Sequence, residues 1–226
     1  MKRTFTFIVL TGILLTSCTT APPTIKTEQF TVQYTSASIP WLASLYNCSG
    51  TNVITDEQRA ADFLDLKSAN MVIRIGSPGT LDAFAYQIGT DDLLVILNSK
   101  NPTRTLTAEQ ARELFSGQIQ NWKAINGNDM PVQVWIFPAG EDVQEIFDQS
   151  VLEGSPVTSE AHLITNPDEM VQAVGKDVSA IGIITRRWKT GNITAVYAAA
   201  ISLPVLAITL SKPQGTLAQI IACMQK

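Results

Sequence analysis

The strongest constraint on the fold of this chain is the spacing of its apolar runs. Met71–Gly76 (MVIRIG), Asp92–Asn98 (DLLVILN), Val132–Phe137 (VQVWIF) and Ala180–Thr185 (AIGIIT) are short, rich in β-branched residues and largely free of polar breaks. Runs of that kind read as strands covered on both faces. Phe30–Tyr34 reads as a further strand, and Ala195–Ala200 and Val205–Leu210 add two more apolar runs. The segments between them open with helix-start signals. Thr107–Gln110 (TAEQ) is a capping box with Leu106 and Ala111 placed for a hydrophobic staple, and Asn166–Glu169 (NPDE) caps the next helix. Thr55–Gln58 (TDEQ) has the same pattern and predicts a helix there, while Ser38 is the expected N-cap of a helix over Ile39–Asn47 with Pro40 in its first turn. Strands alternating with capped helices predict an α/β protein, mostly parallel sheets flanked by helices.

In such folds ligands bind beyond the carboxyl ends of strands, where loops enter helices. That rule selects Thr35–Ser38 (TSAS), Gly76–Thr80 (GSPGT) and Phe137–Asp142 (FPAGED). The candidate ligand contacts are therefore Thr35, Ser36, Ser38, Ser77, Ala139, Gly140 and Glu141. Each also has an ordinary reading. Serine and threonine cap helices and shape turns, and acids such as Glu141 and Asp142 stabilise the first turn of a helix by a few tenths of a kcal/mol, about 0.3–1. Arg74 lies in an apolar strand and needs a partner if buried, as an anion ligand or in a structural ion pair.

The N-terminus carries a separate signal. Lys2 and Arg3 precede an apolar run too short for a membrane span, and the run ends in Leu15–Cys18 (LTSC). This resembles the lipobox of bacterial lipoproteins, which implies a signal peptide over residues 1–17, lipidation at Cys18 and a tether over 18–29; the other reading is a plain secretory signal. Loss of residues 1–17 leaves 14 basic against 20 acidic residues, a formal charge of −6. No basic stripe remains, so nucleic acid is not an expected partner. A single histidine, His162, and the isolated Cys48 and Cys223 give no metal-ligand spacing and no nucleophilic triad, so neither a metal, a cofactor nor a catalytic residue is expected. In an oxidising compartment the two cysteines either pair or stay as buried thiols.

A more specific pattern runs through Leu93–Asn126. A strand ends in Asn98, Asn101-Pro102 follows, Leu106 precedes the capped helix, that helix closes with Leu114, Phe115 and Gly117, and Asn121-Trp122 comes next. This resembles the substrate-binding proteins of phosphate ABC transporters, and the likeness continues through Ile136–Phe147, Ala180–Trp188 and Ser202–Pro213. It implies a two-lobed clamshell, with one lobe over 30–98 plus 198–226 and the other over 99–197. Cys48 and Cys223 would share a lobe, which makes a disulfide conceivable. The resemblance further implies a small-molecule solute, an ABC-transporter permease as partner, a monomer, and an extracytoplasmic, lipid-anchored location.

The phosphate-ligand pattern itself is degenerate. Where the family has an arginine this chain has Phe137, and where it has Ser-Gly-Thr at the helix start this chain has Glu141, Asp142 and Val143. Side-chain donors are lost and two carboxylates gained. One carboxylate ~4 Å from a phosphate charge costs about 4 kcal/mol at an effective dielectric of ~20, more than a helix N-terminus returns at roughly 0.3–2 kcal/mol. The expected function is a solute-binding lipoprotein for a ligand other than free phosphate. The alternatives are an interaction lipoprotein that reuses the clamshell to dock a partner, and a phosphate binder with different donors.

Overall fold

The computed structural model describes residues 29–50, 53–62, 68–78 and 83–226, the side chains of 198–201 excepted. The signal segment, Cys18 and its tether lie outside the described residues. Strand β1 (Phe30–Tyr34) passes through a 3-10 turn (Ser36–Trp41) into α1 (Leu42–Ser49) and β2 (Val53–Glu57). A short turn (Ala60–Asp62), β3 (Met71–Ile75) and the long β4 (Phe84–Asn98) follow. Next come α2 (Ala108–Phe115), β5 (Gln133–Ile136), α3 (Asp142–Phe147), β6 (His162–Leu163), α4 (Pro167–Lys176) and β7 (Ala180–Thr185). The second long strand, β8 (Ile193–Thr209), and α5 (Gly215–Met224) complete the order.

All eight strands form one sheet in the order β2-β1-β3-β8-β4-β7-β5-β6. Its two ends are parallel triplets, β2-β1-β3 and β7-β5-β6, and its centre is antiparallel. β8 pairs with β3 through Val205–Ile208, β4 pairs with β7 through Leu93–Leu97, and the two long strands pair with each other along most of their length. Each long strand therefore belongs to both halves. Their mutual register shifts near Gly89, Leu94 and Ile96, bulges that re-aim a strand without ending it.

Burial explains which strands were legible. β3 and β7 are buried along their whole length, as continuous apolar runs require. Strand β4 extends eight residues before Asp92, and in this outer part, Phe84–Asp91, only Ile88 and Asp91 are buried, with the polar Gln87 and Thr90 exposed. The two late apolar runs belong to a single strand, β8. The motif residues behind the family resemblance act as backbone ties. Asn98 donates to the carbonyls of Val174 and Gly175, Asn101 to Val178, and the Trp122 indole to Ser179.

Two helix-start expectations are corrected. Thr55–Gln58 opens no helix: Val53–Glu57 pairs in parallel with β1, and the Thr55 hydroxyl meets Tyr46 Oη at 2.9 Å. The β-branched Val53, Ile54 and Thr55 favour the strand, and a helical turn begins only at Ala60. Ser38 is no N-cap either. It lies inside the 3-10 turn and donates to the carbonyls of Thr35 and Ile73. The other two starts form as read: Thr107 and Gln110 make a reciprocal capping box, and Asn166 caps α4 through the Glu169 N–H.

Cys48 at the end of α1 and Cys223 at the end of α5 are joined, with Cα atoms 5.7 Å apart and a sequence separation of 175. In the chain-entropy description a loop of that length restricts the unfolded state by about 5 kcal/mol. Reduction, or Cys48→Ala with Cys223→Ala, should lower the melting temperature by roughly 5–15 °C. Scanning calorimetry with and without reductant checks this, and an unchanged transition would mean that the bond adds nothing.

Candidate functional site

Three loops converge at the middle of the molecule: the carboxyl ends of β1 and β3 from one half, and the loop into α3 from the other. Family-like helix starts would present hydroxyls and a guanidinium here. In this chain the Asp142 carboxylate occupies the junction, and it is 1 % exposed. Its Oδ2 accepts from the Thr35 hydroxyl at 2.6 Å and from the Ile75 backbone N–H at 3.0 Å. Its Oδ1 accepts from the Val143 N–H at 2.9 Å. A hydroxyl, a strand-end amide and a helix-start amide are the donor types an oxyanion seeks at such a junction. The protein supplies the oxyanion itself.

The electrostatics of that carboxylate are mixed. Burial holds the Asp142 carboxyl above the usual range, and the bonds from Thr35 and Ile75, the charge of Arg74 and the bond from Val143 offset this only in part. Arg74, 6 % exposed on β3, reaches across to Glu145 of α3 at 3.4 Å, so it forms a structural ion pair between the halves. The Ala61 N–H donates to the Gly140 carbonyl at 2.9 Å, and the Trp188 indole to the Ala37 carbonyl at 3.1 Å. Gly140 is at φ 90°, and a Cβ there would lie 2.7 Å from Ala61 Cβ. Glycine is needed at this contact for both reasons.

The α3 loop is otherwise pinned inward. Phe137 is buried, and its N–H donates to the Gln144 side chain at 3.1 Å. Val143 is buried and apolar. Of the residues selected from sequence, Thr35 joins Asp142, while Ser36, Gly140 and Glu141 lie beside it around the cleft. Ser38 is turned to backbone carbonyls, and Ser77 and Ala139 are exposed.

Beside the junction lies a cavity of about 460 Å³ lined by Ser36, Glu57, Gln58, Arg59, Asp62, Pro138, Glu141, Thr165 and Asn166. Glu57, Arg59 and Asp62 were not among the sequence candidates, because Thr55–Gln58 read as a helix start. Asp142 was visible as an acid in the degenerate motif; its inward orientation was not, since a helix-start acid normally points to solvent.

Asp142→Ala should leave the Thr35 hydroxyl and the Ile75 and Val143 amides without their acceptor, lowering stability by about 2–5 kcal/mol. Asp142→Asn, which keeps an acceptor oxygen, should recover a large part of the loss. Urea unfolding of the three proteins measures it, and an alanine variant as stable as the parent would remove the carboxylate from this account.

Comparison with known proteins agrees with this architecture. A family model described as a PBP superfamily domain matches residues 63–224. Among similar solved structures is one from Clostridium perfringens, assigned as a phosphate ABC transporter substrate-binding protein and holding bound phosphate. It is 18% identical with a TM-score of 0.74, over 87% of this chain and 93% of that one. An ABC-type phosphate transport receptor from Vibrio cholerae has 18% identity and a TM-score of 0.68, over 88% of this chain and 94% of that one. A variant of the OxyR2 regulatory domain from Vibrio vulnificus has 10% identity and a TM-score of 0.64, over 87% of this chain and 96% of that one. The chain belongs to the PBP superfamily and has the fold of the substrate-binding proteins of phosphate ABC transporters.

Proposed function

We propose that this protein is an extracytoplasmic solute-binding lipoprotein whose ligand is not free phosphate. One observation carries the reading: the seat a phosphate would take between β1, β3 and α3 is filled by the Asp142 carboxylate, bonded to Thr35 and Ile75. An incoming phosphate would have to displace that oxyanion and then lie beside it, at about 4 kcal/mol per charge pair for ~4 Å and a dielectric of ~20. On this reading the lobes are 30–98 with 198–226 and 99–197, and β4 and β8 are the crossovers about which they would move. The chain is a binder rather than an enzyme, a role in keeping with its superfamily, and an ABC permease is the partner that the fold suggests.

Calorimetric titration of inorganic phosphate into the full chain should give no saturable binding up to millimolar concentration. A dissociation constant in the micromolar range would sink the reading. The lipid anchor is tested apart from the ligand: cells given labelled palmitate should yield a labelled, membrane-bound protein, and Cys18→Ser should abolish the label and release the chain. A Cys18→Ser protein that keeps the label would locate the lipid elsewhere.

The same carboxylate favours one other reading, a clamshell held shut by its own ligand that serves as a docking module for a partner. The OxyR2 likeness indicates that the fold also occurs in a regulatory domain. Absence of any thermal shift across a broad solute panel would favour this second role.

A further inference from the structure

We propose that the cavity beside Asp142 is a seat for a small organic dication, a diammonium compound, held by Glu141 at its floor and Glu57 at its rim. The proposal rests on the reading of the protein as a binder of a non-phosphate solute and names the class of that solute.

The charge balance of the lining sets the sign. Among the described residues, three carboxylates, Glu57, Asp62 and Glu141, face the cavity with one guanidinium, Arg59. Arg59 is already engaged by both oxygens of Asp62, at 2.9 and 3.2 Å. Among the described lining residues, Glu57 and Glu141 have no ion-pair partner of their own, and the Arg59 charge, already held by Asp62, offsets Glu141 only in part. Glu141 adds an independent observation: it is 6 % exposed, lines the cavity, and makes no side-chain hydrogen bond or ion pair with any described residue. Buried carboxylates are ordinarily paired or hydrogen-bonded. One left open toward a cavity is complementary to a cation that arrives from outside.

The shape of the lining selects an organic cation over a metal ion. Among the described residues no cluster of three or more His, Cys, Asp or Glu is arranged to hold a metal. Ser36, Gln58, Thr165 and Asn166 add neutral acceptor oxygens around a volume of about 460 Å³, enough for ammonium groups with a hydrocarbon spacer between them. The buried floor would take one ammonium and the exposed strand end at Glu57 the other.

Titration gives the proposal a signature. Burial and the adjacent Asp142 push Glu141 up to about 7; Arg59 opposes this, and Glu57 and Asp62 add to it. A cation binds the ionised form, so the apparent affinity falls as Glu141 takes up a proton below that value. From pH 8 to pH 6 the ionised fraction drops about tenfold, and the dissociation constant rises by the same factor.

The test is isothermal titration of 1,4-diaminobutane into the full chain, with n-butylamine, magnesium chloride and inorganic phosphate in parallel. Saturable binding of the diamine at pH 8 is expected, weaker by about tenfold at pH 6. Loss of one charge contact should make n-butylamine about tenfold weaker, and magnesium should give no binding. Glu141→Gln, which relieves a buried charge and should fold, should weaken the diamine about tenfold or more and flatten the pH dependence. Glu57→Gln, on an exposed strand end, should weaken it several-fold and keep the pH dependence. No saturable diamine binding, equal binding of n-butylamine, or an unaltered Glu141→Gln protein overturns the inference. Saturable phosphate binding overturns the underlying reading, and the diamine isotherm then judges this site separately.

Discussion

The hydrogen bonds of the Asp142 carboxylate tie together parts of the chain that are far apart in sequence. Thr35 is 107 positions away and Ile75 is 67, yet all three meet at one point between the halves of the sheet. A buried carboxylate loses several kcal/mol of hydration, and charge-assisted hydrogen bonds return about 1.5–3 kcal/mol each. Three such bonds, with Arg74 nearby, offset much of that loss, though burial still holds the carboxyl above its ordinary range. The net contribution is therefore modest, and the stronger consequence is specificity: only one relative arrangement of β1, β3 and α3 satisfies every donor. The Arg74–Glu145 pair, the Ala61–Gly140 bond and the close approach at Gly140 then follow as neighbours of that junction.

This placement gives the acid at the α3 start a structural role. Without an external oxyanion, the Thr35 hydroxyl and the Ile75 amide would face a dry junction with nothing to accept them, at roughly 1–3 kcal/mol for each unsatisfied group. An aspartate at the helix start supplies the acceptor. Phe137 and Val143 beside it are buried and apolar and add no side-chain donor. Glu141 stands differently. It is next in sequence to Asp142 but opens to the cavity, so adjacent acids serve opposite surroundings, one satisfied and one available.

The sheet sets how far these halves can be considered separately. The parallel triplets at either end each resemble an independent α/β unit, but the long strands β4 and β8 are shared by both. Bulges along their pairing provide places where small dihedral changes accumulate without breaking the ladder. The disulfide joins α1 to α5, and Gln225, just beyond α5, donates to the Gln87 carbonyl of β4, so the bonded helices stay close to the first of these bulges.

Local chemistry was legible directly. The capping box at Thr107, the cap at Asn166 and the buried strands Met71–Ile75 and Ala180–Thr185 depend on neighbours within a few residues, and sequence alone determines them. The strand at Val53–Glu57 was misread because TDEQ carries a helix-start pattern, while pairing with β1 depends on contacts that no local window contains. Sequence also placed two carboxylates, Glu141 and Asp142, at the start of α3. Only the tertiary structure decided where those carboxylates point: Asp142 inward to Thr35 and Ile75, Glu141 toward the cavity with Glu57. Burial and hydrogen-bond geometry are properties of three converging segments, and they set whether an acid is a helix ornament, an internal ligand or an open seat.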